Sequence, residues 1–306
     1  MQWWTILFAY LTIPLVALAQ STPEYRLNVS VNEVSLTFHA ADARGLSIND
    51  LRLDDLTVLD NGRPASKILA FESLENLPIR AGILMDTSAS MERNLPDDRA
   101  ISIQYAQHVL RQSTDQAFVM DFGYSSNIRK AWTSNPAALS AAISSVTAGR
   151  QNPLGGTALF DSIFRACFNE FGKADHSARG NFILLFSDGE DNASHTSLQE
   201  VVNVCQSANT AIYAFHAEPA TGYSPGPKTL MELASQTGGR VFFDDDPQAK
   251  IIANLHIIED DLRNQYRLVY RPAELKHDGA FHHIELRAPA RVDSIRSRSG
   301  YYAPLN

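Results

Sequence analysis

Residues 81–90 read AGILMDTSAS, a run without polar side chains that leads directly into an aspartate and several hydroxyl residues. Residues 182–191 repeat this arrangement as FILLFSDGED. A continuous apolar run of this length is typical of a parallel strand that is buried on both faces. The two stretches therefore predict central strands of a parallel sheet, each followed by a polar loop at its carboxyl end.

Helices and strands alternate between these two stretches and after them. Pro96-Asp97-Asp98 begins a helix, with proline in the first turn and acidic side chains that complement the helix dipole. Further helices are predicted over 136–146, 157–171, 197–208 and 230–235, and further strands over 117–120, 128–133, 211–215 and 240–243. This alternation predicts an α/β domain with a doubly wound, mostly parallel sheet.

The segments on either side of this region predict strands. Val34, Leu36 and Phe38 alternate with polar residues, and Asn61-Gly62 separates two apolar runs as in a hairpin. A last helix, with apolar residues spaced by four, three and four from Ile251, leads into further short strands. We expect the two flanks to pair into a small β subdomain.

The predicted organisation is a signal peptide at 1–19, an N-terminal β segment at 20–78, an α/β domain at 79–250, and a last helix with a C-terminal β segment at 251–306.

The first residues predict export. The run from Thr5 to Ala19 is almost entirely apolar, and Ala17-Leu18-Ala19 before Gln20 has the small-residue pattern of a cleavage site. Neither Lys nor Arg precedes the run, so an uncleaved N-terminal anchor is the alternative. We predict a secreted or periplasmic protein that has no membrane span after signal cleavage.

The chain has two cysteines, Cys167 and Cys205. Both fall on predicted amphipathic helices, where a free cysteine commonly behaves as a small core residue. We therefore favour two unbridged core cysteines. A disulfide bond between them, which an exported protein can keep, is the alternative.

Oxygen-bearing side chains follow the predicted core strands or open a helix at the same edge of the sheet. Asp86, Ser88 and Ser90 follow the first apolar run, Asp188 follows the second, and Thr157 stands after Gly155-Gly156 at the start of a helix. Loops at the carboxyl ends of parallel strands converge on one crevice. Carboxylates and hydroxyls without nearby His or Cys select a hard cation, and small hydroxyl ligands suit Mg²⁺, with Mn²⁺ or Ca²⁺ as alternatives.

The order Asp86-x-Ser88-x-Ser90, Thr157 and Asp188 resembles the metal-ion-dependent adhesion site of von Willebrand factor type A domains. In that family the serines and the threonine approach the metal, the aspartates bind it directly or through water, and an acidic residue of the ligand completes the shell. The resemblance covers roughly residues 79–255 by motif order. The flanks are similar to exported bacterial proteins called VWFA-related, known largely from acidobacteria. The matching stretches are Leu56-Thr57-Val58-Leu59-Asp60-Asn61-Gly62 before the core, Thr237-Gly238-Gly239-Arg240 within it, and Tyr266-Arg267-Leu268 and Ser299-Gly300-Tyr301-Tyr302 after it.

The resemblance implies a non-enzymatic, cation-dependent binding protein whose partner is a protein or an extracellular polymer that presents an acidic residue. A net charge of −8 argues against nucleic acid as the partner, because phosphate binding needs a basic surface.

Two other functions are the alternatives to a binding protein. They are a Mg²⁺-dependent phosphoesterase, for which no catalytic base is identified, and a structural protein with a vestigial metal site. Individually, Thr157 also fits a helix cap and Asp188 an Asx turn. A solvated turn is the favoured interpretation of Glu190-Asp191-Asn192, over a second cation site.

Overall fold

The computed structural model describes residues 33–149, 155–172, 180–216, 224–243, 248–274 and 276–305. The predicted signal peptide and residues 20–32 lie outside these ranges. The strands are β1 Val34–Ala41, β2 Thr57–Asp60, β3 Arg63–Pro64, β4 Lys67–Leu74, β5 Ile79–Asp86, β6 Gln116–Phe122, β7 Ser126–Thr133, β8 Gly180–Ser187, β9 Thr210–His216, β10 Arg240–Phe243, β11 Gln265–Arg271, β12 Phe281–Arg287, β13 Ser294–Ser297 and β14 Gly300–Tyr302. The α-helices are α1 Leu95–Gln104, α2 Pro136–Ser144, α3 Leu159–Arg165, α4 Leu198–Ser207, α5 Gly226–Thr237 and α6 Gln248–Arg263. Wider helical turns extend α1 over Tyr105–Val109 and α3 over Ala166–Phe171.

A six-stranded sheet with the order β10-β9-β8-β5-β6-β7 forms the centre of the molecule. All its strands are parallel except β7, which runs antiparallel to β6. Apolar residues of β5 alternate between two buried layers: Ile83 and Met85 pack with α1, α2 and α6, whereas Leu84 packs with α3, α4 and α5. Because helices cover both faces, the strand has no solvent-facing side, which explains its continuous apolar sequence. The predicted doubly wound α/β fold is confirmed.

Two antiparallel sheets, ordered β13-β1-β11-β4 and β14-β12-β2-β3, flank this core. Each contains strands from both ends of the chain, so the expected pairing of the two flanks is confirmed. The predicted turn at Asn61-Gly62 joins β2 to β3, with both residues at positive φ (49° and 75°), as such a tight turn requires. Phe38 on β1 and Tyr266 on β11 are paired within the first sheet, and their rings stack with centroids 5.1 Å apart in the core that the two sheets share.

A buried polar cluster holds the two flanking sheets together. The carboxylate of Asp60 on β2 accepts hydrogen bonds from the hydroxyls of Tyr270 on β11 (2.8 Å) and Tyr301 on β14 (2.9 Å). The Nδ1 atom of His282, on β12, lies 2.7 Å from the other oxygen of Asp60. The predicted strand residue His282 is thus a satisfied core histidine, and the cluster fixes the pairing between the sheets.

A buried ion pair fastens the end of α6 to the core. The guanidinium of Arg263 donates to both carboxylate oxygens of Asp115, at 2.6 and 3.2 Å, and to the carbonyl of Leu77. Asp115 also accepts hydrogen bonds from the backbone amides of Ile79 and Arg111, each at 2.9 Å. Both charged side chains are almost fully excluded from water.

We predict that Asp115→Ala lowers the free energy of unfolding by about 3–5 kcal/mol. The change leaves the amides of Ile79 and Arg111 without their acceptor, and of the two carboxylates that pair with the buried guanidinium of Arg263 it leaves only Glu259 (2.7 Å). Urea denaturation followed by circular dichroism measures the loss. The matched control is Asp97→Ala, which removes an exposed carboxylate from α1. A loss no larger than that of the control would mean that the pair contributes nothing.

The favoured interpretation of the cysteines was wrong. Cys167 and Cys205 form a disulfide bond between the helical turn after α3 and α4, and both are fully buried. The two helices lie side by side on one face of the sheet, and this brings the Cα atoms to 5.0 Å. Helical periodicity shows which face each cysteine is on but not which helix lies beside it, so the sequence could not establish the bridge.

In the part of the chain that the structure describes, no helix is long and apolar enough to cross a membrane.

Candidate metal centre

The two aspartates of the candidate site lie at the carboxyl ends of adjacent strands. Asp86 is the last residue of β5, and Asp188 directly follows β8. The two strands are parallel neighbours, with Met85 paired to Phe186, so the loops that follow them leave the sheet side by side. Both aspartates are buried. The strand order therefore brings together two carboxylates that are about a hundred residues apart in sequence.

Hydrogen bonds fix the loop that begins at Asp86. One carboxylate oxygen of Asp86 accepts from the backbone amide of Ser88 at 2.9 Å, and the other accepts from the hydroxyl of Ser187 at 2.8 Å. The hydroxyl oxygens of Ser88 and Ser90 lie 3.1 Å apart. The loop thus presents two neighbouring hydroxyls beside an oriented carboxylate.

Thr157 is buried and is held from two sides. Its backbone amide donates to Oδ1 of Asn192 at 2.8 Å, and its carbonyl accepts from the amide of Asn192 at 3.0 Å. The next amide, of Ala158, donates to the carbonyl of Gly123 at 2.7 Å. Asn192 follows β8 and Gly123 follows β6, and these are the two strands that flank β5. Thr157 is therefore positioned between the loops on either side of Asp86.

The side chain of Asp188 is only partly satisfied. Its Oδ1 atom accepts from the backbone amide of Glu190 at 3.0 Å, whereas its Oδ2 atom is buried and has no hydrogen-bond partner among the described residues. A buried carboxylate oxygen without a donor is unfavourable, because it loses its hydrogen bonds to water and no protein hydrogen bond replaces them. A bound cation would compensate for this loss.

The donors of the candidate centre fit a hard cation. They comprise two carboxylates and three hydroxyls, and oxygen ligands of this kind suit Mg²⁺, Mn²⁺ or Ca²⁺. A grouping of three or more His, Cys, Asp and Glu side chains able to hold a metal is absent from the described ranges. The candidate centre, with hydroxyls in the majority, is a different type of site.

Burial raises the pKa of Asp86 to about 7. Exclusion from water is the main cause, and the negative charge of nearby Asp188 adds to it. The hydrogen bonds from Ser88 and Ser187 favour the ionised form and act in the opposite direction. A cation at this site would have to displace the proton of Asp86 at acidic pH.

We predict that Mg²⁺ binds progressively more weakly as the pH falls below about 7, with close to one proton released per ion bound. In metal-free protein, stability should fall as the pH rises from 3.8, the ordinary pKa of an aspartate, towards 7, because only the folded state favours the protonated form. Calorimetric titration between pH 5.5 and 8.5, in buffers with different ionisation enthalpies, measures both affinity and proton release. An affinity independent of pH would contradict this assignment.

Several residues that support the site were not predicted. Asn192 and Asp191 were interpreted as a solvated turn, but Oδ1 of Asp191 accepts from the amide of Phe160 at 3.2 Å, and together with Asn192 it fastens the start of α3. Ser187 donates to Asp86, and its position directly before Asp188 in the sequence was the signal that could have identified it. Nothing in the sequence indicated that Gly226 supports the site. A Cβ atom there would lie 1.9 Å from the carbonyl oxygen of Asp188, because α5 begins directly against this loop.

With this geometry in place, the sequence match decides the family. Residues 82–255, more than half of the chain, match the model of the von Willebrand factor type A domain. The chain belongs to the von Willebrand factor type A family. The match begins within β5 and ends within α6, so this type A domain includes all five candidate residues. Domains of this family are generally interaction modules.

Two solved structures of low sequence identity are similar to part of this chain. A conserved hypothetical protein, BatB from Bacteroides thetaiotaomicron, is 15% identical over 59% of this chain and 97% of its own, with a TM-score of 0.47. Proximal thread matrix protein 1 from the mussel byssus, solved with a zinc-occupied MIDAS motif, is 17% identical over 66% of this chain and 50% of its own, with a TM-score of 0.49. No curated protein matched the chain. The family assignment rests on the sequence match.

Proposed function

We propose that this protein is an exported binding protein that uses a divalent cation to engage an acidic group on a protein or polymer partner. Asp86, Ser88, Ser90, Thr157 and Asp188 would hold the cation. The observation that carries the proposal is the buried Oδ2 atom of Asp188, which has no hydrogen-bond partner among the described residues and lies beside a second carboxylate. Membership of a family of interaction modules supports a binding role.

The composition of the site favours Mg²⁺, with Mn²⁺ or Ca²⁺ as alternatives. Two carboxylates supply at most two negative charges, and the remaining donors are neutral hydroxyls. A cation held in this way keeps enough positive charge to accept a carboxylate from a partner. The side chains of this protein would thus set the position of the ion and leave one side of it for the partner.

The disulfide bond supports export. Disulfides persist in oxidising compartments and are rare in the cytosol, where thiols are kept reduced. The bond between Cys167 and Cys205 is therefore consistent with the small-residue cleavage pattern at Ala17-Leu18-Ala19. We propose a secreted or periplasmic location on these two observations.

A pull-down from envelope extracts tests the proposal. The mature protein serves as bait in Mg²⁺, in EDTA, and as an Asp188→Ala variant, with Asp97→Ala as the matched control for loss of a carboxylate. We expect a partner that is retained by the wild type and the control in Mg²⁺ and lost in the other two conditions. Retention that is insensitive to both EDTA and Asp188→Ala would contradict cation-dependent binding.

A metal-dependent phosphoesterase is the second candidate, because a hard cation held by these side chains would polarise a phosphoryl oxygen. Phosphatase assays with p-nitrophenyl phosphate and Mg²⁺, on the wild type and Asp86→Ala, distinguish the two candidates. The binding proposal predicts no turnover in either. Mg²⁺-dependent turnover that disappears in Asp86→Ala would replace it with the enzymatic function.

A further inference from the structure

A cavity of about 460 Å³ lies at the amino ends of the central strands, at the opposite edge of the sheet from the candidate metal centre. One wall consists of residues at the amino ends of β8 and β9, including Asn181, Asn209 and Thr210. The other wall belongs to the flanking sheet β13-β1-β11-β4. The metal centre lies at the carboxyl ends of the central strands, so the cavity is a separate site.

Strand β1 gives the cavity its polar wall because its two faces differ. Val34, Leu36 and Phe38 are buried, and Val34 and Phe38 pack in the apolar core of the flanking sheets. The alternate residues Ser35, Thr37 and His39 supply the polar lining of the cavity, and Phe38 also contributes to its wall. The period of two in a strand accounts for this division. Register places arginines on the same face, since Arg267 is paired with Thr37 and Arg296 with His39.

The side chains that line the cavity carry an excess of positive charge. Arg267, Arg296 and Arg298 all line it. Burial opposes protonation of His39, but its interactions with Asp260 and Asp261 prevail and raise its pKa to about 9. Among the described lining residues, Asp261 is the one carboxylate. A local excess of cations is notable in a protein whose net charge is −8, and it favours an anionic ligand.

Two of these arginines retain unused donors. Arg298 donates to neutral acceptors, the carbonyl of Ser35 at 2.7 Å and Oε1 of Gln206 at 3.3 Å, and its buried Nε has no partner among the described residues. The Nε of Arg296 lies 3.2 Å from Asp261, whereas its buried Nη1 likewise has no partner there. Of the two, Arg298 has no anionic partner among the described residues, and a guanidinium buried in this way is unfavourable, so an anion in the cavity would be stabilising.

We propose that this cavity binds a small oxyanion, a carboxylate or a phosphate, held by Arg298 and Arg296 between the flanking sheet and the type A core. The planar guanidinium donates two parallel hydrogen bonds, a geometry that matches both carboxylate and phosphate oxygens. Thr37 and Asn209 hydrogen-bond across the cavity (3.2 Å) and show that its two walls are already in contact. A bound anion would add a second connection between the same walls.

Calorimetry and thermal unfolding of EDTA-treated protein test the proposal, with succinate as the carboxylate probe and inorganic phosphate as the phosphate probe. Sodium chloride at matched ionic strength is the reference. We expect at least one probe to raise the melting temperature, and Arg298→Gln to weaken its binding by about tenfold or more, since a charge-assisted hydrogen bond is lost. Asn209→Asp should also weaken binding, because it places a carboxylate in the cavity while keeping the acceptor for Thr37.

Two controls separate this site from others. Arg287→Gln removes an exposed arginine of β12, paired with Glu285 and outside the cavity, and should leave binding unchanged. Asp86→Ala should also leave it unchanged, since the cavity does not depend on the metal centre. If Arg298→Gln fails to fold, Asn209→Asp decides the question. The proposal is overturned if neither probe acts beyond sodium chloride, or if a probe binds equally well to Arg298→Gln and Asn209→Asp.

Discussion

Replacing Asp188 with alanine should weaken Mg²⁺ binding by more than about 100-fold, because even the loss of groups that merely orient metal ligands costs 10–100-fold. Asp188 brings a negative charge and a buried Oδ2 atom that has no hydrogen-bond partner in the described part of the chain. Calorimetric titration of the metal-free protein with Mg²⁺ and Mn²⁺ measures the change. Ser88→Ala/Asp188→Ala should show no binding, and Asp97→Ala should bind as the wild type does. Equal affinities in all variants would refute the site.

A second substitution of Asp188, to asparagine, distinguishes a binding site from a structural role. Metal-free Asp188→Asn should be at least as stable as the wild type, because the variant keeps the acceptor for Glu190 and removes a buried charge. A structural carboxylate behaves in the opposite way, as expected for Asp115, which accepts five hydrogen bonds from described residues. Urea denaturation in EDTA compares them. A loss of stability in Asp188→Asn as large as that in Asp115→Ala would identify Asp188 as structural.

Breaking the disulfide bond should have the second large effect. The bond closes a loop with a sequence separation of 38, and the loop-entropy model gives a stabilisation of about 4 kcal/mol for a loop of this length. We expect Cys167→Ser/Cys205→Ser to lose about 2–4 kcal/mol of unfolding free energy. Urea denaturation with and without dithiothreitol measures it.

Dithiothreitol provides the control for this prediction. It should shift the wild-type unfolding midpoint towards that of the double variant and leave the double variant unchanged. The prediction is contradicted if dithiothreitol does not change the wild-type unfolding midpoint and the double variant is as stable as the wild type. That result would show that the two cysteines are free in solution.

The fold could be predicted where the sequence of a single strand shows which of its faces are buried. The run Ala81–Met85 has to be buried on both faces, and this indicates a sheet with helices on both sides. Asp86, Ser88, Ser90 and Asp188 could be placed at one edge of the sheet because parallel strands send their following loops there. These inferences need only local sequence and the rules of α/β topology. Thr157 opens a helix, and the order of the family motif linked it to the other four.

The remaining features depend on which elements become neighbours. The Cys167–Cys205 bond follows from the packing of two helices, and the close approach of Gly226 to Asp188 follows from where α5 begins. His39 meets Asp261 because β1 pairs with β13 beside α6, and local sequence does not set this register. Asn192 resembled an ordinary turn residue because its partner, Thr157, is distant in sequence.

Anomalous diffraction from a crystal grown with Mn²⁺ tests the central claim most directly. The account predicts one strong peak beside Asp188, at about 2.0–2.3 Å from the hydroxyls of Ser88 and Ser90, the range for a hard cation bound to oxygen. The Asp188→Ala crystal should lack it. Wild-type crystals with no peak at this loop, or with a peak that persists unchanged in Asp188→Ala, would contradict the assignment of this cation site.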